Sequence, residues 1–96
     1  MPFLHLGVRL KDSDAPDNKA IEEVLNRAKD WYRYTPSCWI IYSNKDANTW
    51  AKRLRGIPGM EERTSFLICE IPLEQNDKRS GWLPREVWNW IKKERS

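Results

Sequence analysis

From Phe3 to Leu10 the chain alternates strictly between large aliphatic and other side chains. Every second position is aliphatic: Leu4, Leu6, Val8 and Leu10. The positions between them are Phe3, His5, Gly7 and Arg9. A period of two predicts a β-strand with one face turned to a core.

Two stretches instead repeat their apolar residues at helical spacing. The first follows a polar loop that contains Pro16 and has the apolar positions Ile21, Val24, Leu25, Ala28 and Trp31 or Tyr32. Asp17 or Asn18 is suited to cap it. The second has Ala47, Trp50, Ala51 and Leu54. Capping residues between 43 and 46 precede it, and we expect it to end at Gly56.

Three further strands are predicted from short aromatic and β-branched runs. Trp31–Tyr34 and Cys38–Tyr42 flank a Thr-Pro-Ser turn and form a hairpin, although the first run overlaps the predicted helix end. Ser65–Ile71 is the fourth strand and stops at Pro72.

A last helix is predicted to begin near Pro84, because proline suits the first turn of a helix. Leu83, Val87 and Ile91 form its apolar stripe, Trp88 lies beside the stripe, and Trp90 points elsewhere. The order β-α-β-β-α-β plus a terminal helix predicts a single α+β domain over 1–96, with a core at about 2–72 and an extension at about 81–95. We expect a ferredoxin-like antiparallel sheet with both helices on one face; a three-layer arrangement is the main alternative.

The third and fourth strands are apolar on both sides, which predicts that both faces of the sheet are covered. Either the terminal helix crosses the second face or another copy packs against it. We favour a homodimer. The candidate interface residues are Trp39, Ile41, Trp82, Trp88 and Trp90.

Charge indicates a second kind of surface. The chain has 17 basic and 14 acidic residues and a net charge of +3. Basic side chains cluster in the second helix and in the polar stretch near residue 78, and His5 and Arg9 share one face of the first strand. The candidate nucleic-acid contacts are His5, Arg9, Lys52, Arg53, Arg55, Lys78 and Arg79.

Metal, cofactor and membrane functions find no support in the sequence. The two cysteines, Cys38 and Cys69, lie in separate strands, and a single histidine cannot anchor a conventional zinc site. Arg9 and Lys11 interrupt the first apolar stretch, so we expect no signal peptide and no membrane segment. A cytoplasmic location and the absence of a cofactor are the expectations.

Three stretches carry a family resemblance: Ser37–Ile41 after an aromatic pair, a short helix closed near Gly56, and Gly81–Ile91 with its tryptophans and helix start. Through them the chain resembles small bacterial proteins of the SinR family. That group is similar to VapD toxins and to the second CRISPR adaptation protein, a small ferredoxin-like dimer. The resemblance implies the same fold, dimerisation through the sheets and contact with nucleic acid.

The resemblance also bears on catalysis. In the CRISPR relatives an aspartate at the end of strand one is the metal ligand for phosphodiester cleavage, and Arg9 stands at the matching position here. A cation would repel Mg²⁺. Asp12, Asp14 and Asp17 lie in the next loop, where turn and cap chemistry is the simpler interpretation.

Three functions follow from these observations. The favoured one is a non-catalytic dimeric binding module of a mobile-element or defence-associated family, with nucleic acid as its partner. The first alternative is a nuclease, either using Mg²⁺ or metal-free with His5 beside Arg9. The second is a regulatory subunit that binds another protein through the tryptophan-rich end.

Overall fold

The structure, a computed structural model, describes residues 3–9, 18–58, 65–73 and 80–93. These residues form an α+β arrangement of four strands and three helices. The strands are β1 (Phe3–Val8), β2 (Asp30–Thr35), β3 (Cys38–Tyr42) and β4 (Phe66–Ile71). The helices are α1 (Asn18–Leu25), α2 (Ala47–Arg55) and α3 (Arg85–Lys92).

The four strands form one sheet in the order β2-β3-β1-β4, and every neighbouring pair is antiparallel. The first strand is therefore central. Leu6 lies opposite Trp39 on one side and opposite Ile68 on the other. β2 and β4 are the two edges of the sheet.

One face of the sheet packs against α1 and α2. The alternating leucines of β1 supply the centre of this core, as their period of two predicts. Its buried members are Leu4, Leu6, Val8, Ile21, Leu25, Trp39, Ile41, Trp50, Leu54 and Ile57. The amphipathic patterns of the two helices account for their position, because each has only one apolar face to bury.

Local capping determines where α2 begins and ends. The carboxylate of Asp46 accepts a 2.8 Å hydrogen bond from the backbone N–H of Thr49, which satisfies one of the free donors of the first turn. At the other end, the N–H of Gly56 donates to the carbonyl of Arg53, and the N–H of Ile57 donates to the carbonyl of Leu54. The predicted end of the helix at Gly56 is confirmed.

The second face of the sheet is partly covered by α3. Phe3 and Ile40 from the sheet are buried against Val87 and Ile91 from the helix. At the end of α3, Lys93 forms a 3.8 Å ion pair with Asp30 of β2. The terminal helix thus supplies part of the cover for which the sequence analysis favoured a second copy.

Two local expectations are wrong. α1 ends at Leu25, and Ala28 and Trp31 lie beyond it, because β2 already begins at Asp30. Trp90 does not point away from the apolar stripe of its helix: it packs on the same cluster as Val87 and Ile91, and its ring centroid lies 5.9 Å from that of Phe3 and 5.7 Å from that of Tyr32.

Within the described residues, no helix is both long and apolar enough to span a membrane.

Candidate nucleic-acid interface

The last turn of α2 concentrates positive charge. Lys52, Arg53 and Arg55 all lie there, and the helix contains no acidic residue. Lys52 and Arg55 are exposed, as is Lys45 just before the helix. This turn is the strongest cationic feature of any helix that the structure describes.

The Arg53 side chain is held in place by an aromatic ring. Its guanidinium carbon lies 4.9 Å from the ring centroid of Trp50, a cation–π arrangement. Trp50 is itself fully buried. Arg53 therefore presents a fixed charge, whereas Lys52 has the freedom of an exposed lysine side chain.

A cleft of about 390 Å³ opens between α1 and the end of α2. Its lining includes Arg27 and Arg53, but also Glu23, so the charge inside it is mixed. An extended polyanion would be attracted more strongly to the exposed cations of the last turn than to the cleft itself.

Asp46 modifies the charge at the start of the same helix. Hydrogen bonds from Thr49 hold the pKa of its carboxyl below its usual value, and nearby Lys52 contributes in the same direction. The carboxylate is therefore ionised at neutral pH. Positive charge consequently dominates at the end of α2 and not at its beginning.

His5 lies on the second face, beyond the part that α3 covers. Its Nε2 forms a hydrogen bond with the hydroxyl of Tyr34, and the two ring centroids are 5.6 Å apart. Burial lowers the pKa of His5 below its ordinary value of 6.5. The imidazole is thus neutral at pH 7 and supplies no positive charge for a phosphate group.

The hydrogen-bonded chain continues from Tyr34 towards Cys38. Burial raises the pKa of Tyr34, and Cys38 raises it further through the negative charge of its ionised form and through a hydrogen bond. The phenol therefore stays protonated at neutral pH. The sequence analysis did not identify Tyr34. Strand alternation places it on the same face of the sheet as Tyr32, two residues earlier.

Arg9, at the end of β1, is exposed. Its backbone N–H donates a 2.8 Å hydrogen bond to the carbonyl of Ser65, which fixes the position of the residue next to β4. Arg9 lies on the second face, whereas α2 packs on the first face, so the sheet separates Arg9 from the cations of α2.

The residues that the sequence predicts for a dimer interface fall into three groups. Trp39 and Ile41 are fully buried under the helices of the same chain, so they contribute to no surface in this conformation. Trp88 and Trp90 are half-buried on the second face. Trp82 is completely exposed.

Several predicted residues lie outside the described part of the chain: Lys78, Arg79, Asp12, Asp14 and Asp17. Among the residues that are described, no group of three or more histidine, cysteine, aspartate or glutamate side chains is placed to hold a metal ion.

Comparison with known proteins adds no further information: no family model matches the chain, and neither a curated protein nor a solved structure is significantly similar to it.

Proposed function

We propose that the chain is a non-catalytic, dimeric binding module with a ferredoxin-like fold, and that its partner is nucleic acid. The fold assignment is supported by the strand order. β3 lies between β1 and β2, and β1 lies between β3 and β4. Each helix thus connects two strands separated by a third, which is the split β-α-β arrangement of that fold.

The observation that carries the nucleic-acid proposal is the last turn of α2. Three cations lie there with no acid in the helix, and Lys52 and Arg55 are exposed. A helix with this charge can bind successive phosphates and release their counterions, which gives binding that weakens steeply with salt. The same cations also interact favourably with the helix dipole, so the test must separate the two roles.

The experiment compares two exposed lysines, each in the last turn of a helix. Lys52→Glu reverses a charge on α2, and Lys92→Glu reverses one on α3. The probes are labelled single-stranded RNA and duplex DNA of mixed sequence and about 20 nucleotides, long enough to present several phosphates. Fluorescence anisotropy is measured over a salt series.

Lys52→Glu should weaken binding roughly tenfold at low salt and reduce the slope against log salt by about one. Lys92→Glu should leave the affinity within about twofold. Lys92 lies on α3, on the opposite face of the sheet from α2, and an exposed charge far from the bound phosphates contributes little. A wild-type protein that binds neither probe at low salt would overturn the proposal, as would equal loss in both variants.

The proposed role in a mobile-element or defence system rests on the SinR-like stretches alone. A map of the neighbouring genes tests it: genes for toxins, nucleases or CRISPR proteins would support the role, and only metabolic genes would contradict it.

A further inference from the structure

The two edges of the sheet are protected to different degrees. In β2, the pairing with β3 is irregular between Arg33 and Thr35, and the strand carries two charges. Bulges and charges of this kind prevent another strand from pairing with an edge. β4 pairs with β1 without interruption from Phe66 to Ile71, and its only charged residue is Glu70.

The outer side of β4 is also apolar. Leu67, the second residue of β4, is 70% exposed. No strand among the described residues pairs with this outer edge. A regular, mostly apolar edge with a single charged residue is suited to pair with another strand.

The pattern of hydrogen bonds between β4 and β1 shows which backbone groups of β4 face outward. The Arg9 N–H donates to the carbonyl of Ser65, so the pair formed by residues 9 and 65 is a hydrogen-bonded one. Alternate residues of an antiparallel strand share this orientation. Leu67, Cys69 and Ile71 therefore direct their backbone groups towards β1.

The intervening residues, Phe66, Ile68 and Glu70, direct their backbone groups away from the sheet. We propose that this edge binds β4 of a second copy, antiparallel, around a two-fold axis that passes through Ile68. The inference rests on the dimer in the proposed function and specifies its interface, which is the strand edge and not the sheet face.

The arrangement of the outward groups favours a second copy as the occupant. They are symmetric about Ile68, so Phe66 pairs with Glu70 of the other copy and Ile68 pairs with itself. Each N–H then meets a carbonyl. Moving the axis to Cys69 would place Phe66 opposite Pro72, which has no N–H to donate.

The side chains are compatible with this register. Residues directly opposite in an antiparallel pair lie on the same face. On the helix face, Ile68 meets Ile68 and Phe66 meets Glu70, so no like charges oppose each other. On the second face, the exposed Leu67 meets Cys69 of the other copy.

The pairing also has a consequence for the cationic helix. α2 contacts β4, and Trp50 and Leu54 share one core with Ile68. An axis perpendicular to the sheet keeps the helices of both copies on one side. The two α2 helices would then flank the axis and extend the basic surface across both copies.

The first test compares two substitutions of Glu70, whose side chain is exposed. Glu70→Pro removes the outward N–H while leaving the bonds to β1 in place, since proline is tolerated where an edge N–H faces solvent. Glu70→Ala removes the carboxylate and keeps the N–H, and is the matched control. Mass is measured by light scattering without nucleic acid, at about 200 μM because a short edge contact is a weak interface.

Wild type and Glu70→Ala should have twice the protomer mass of 11.5 kDa, and Glu70→Pro should have the protomer mass with an unchanged far-ultraviolet circular dichroism spectrum. A monomeric wild type would overturn the proposal, and so would a dimeric Glu70→Pro protein.

A cross-link tests the register, and decides the matter if the proline variant does not fold. Leu67→Cys places a thiol opposite Cys69 of the other copy, at a separation that a disulfide can span. Mild oxidation should give a covalent dimer, whereas the double variant Leu67→Cys/Cys69→Ala should not. Equal cross-linking of the two proteins would overturn the register.

These tests are independent of nucleic acid. A dimeric wild type that binds no probe would contradict only the proposed function. A monomer that binds with the predicted salt dependence would contradict the strand pairing and the dimeric state, but not the nucleic-acid partner.

Discussion

The indole Nε1 of Trp50 donates a 3.0 Å hydrogen bond to the hydroxyl oxygen of Ser43, and both side chains are buried. Ser43 follows β3, and its hydroxyl also accepts a hydrogen bond from the backbone N–H of Lys45. One buried hydroxyl thus orders the turn before α2 and fixes the tryptophan that anchors the helix. Because Arg53 stacks on the same indole, this bond also helps to position the cationic turn.

Ser43→Ala should therefore destabilise the fold. It leaves the buried indole N–H without its acceptor, which costs about 1–3 kcal/mol in the free energy of unfolding. Urea unfolding measures the loss. In a Trp50→Phe background there is no N–H to satisfy, so the same substitution should cost less, and equal costs in the two backgrounds would argue against the bond.

Trp82 and Trp90 should differ in their effect on stability. Trp90 packs on Phe3 and Tyr32, and we expect Trp90→Ala to lower the unfolding free energy by roughly 2–3 kcal/mol, somewhat less than for a fully buried tryptophan. Trp82 is fully exposed, so Trp82→Ala should change it by less than about 0.5 kcal/mol. Thermal and urea unfolding of the two variants test this pair.

This difference matters for any search for a protein partner. A pull-down lost on Trp90→Ala would be explained by damage to the fold. Loss on Trp82→Ala, with stability unchanged, would support the alternative of a regulatory subunit that binds through its tryptophan-rich end.

His5 should titrate below its ordinary value, because burial disfavours the charged imidazole. The chain contains one histidine, so its ring proton gives a single unambiguous NMR titration. A midpoint at or above 6.5 would contradict the expected desolvation.

The same shift predicts how stability depends on pH. Between the folded pKa and 6.5, the unfolded chain binds the proton more readily than the folded chain. The free energy of unfolding should therefore fall as the pH decreases from 7 through this window, with no further contribution below the folded pKa. His5→Gln, which cannot titrate there, should remove this part of the slope in urea unfolding measured from pH 7 to 5.

Local periodicity predicted the backbone elements well. The alternation in β1 and the helical spacing in α2 each depend on neighbouring residues, and both elements lie where those patterns place them. The end of α1 could not be predicted in this way. Residues from Asp30 onward pair with β3, and this sheet pairing overrides the helical pattern that continues to Trp31.

For the candidate site, the sequence predicted which charged residues lie close together along the chain, but not the contacts that their side chains make. The sequence identifies Lys52, Arg53 and Arg55 as neighbours in one helix, but not that Arg53 would stack on Trp50. The hydrogen bond between His5 and Tyr34 joins residues 29 positions apart, and no local sequence pattern predicts such a contact.

The sequence by itself determined that the third and fourth strands are apolar on two sides, because the pleat directs alternate side chains to opposite faces whatever surrounds them. Only the tertiary structure decided what covers the second face. α3 packs over Phe3 and Ile40 and leaves Leu67 exposed near the β4 edge. The physical reason is that the hydrophobic effect has no direction. An apolar stripe is stabilised by burial against any apolar surface, and the packing of the whole chain determines which surface that is.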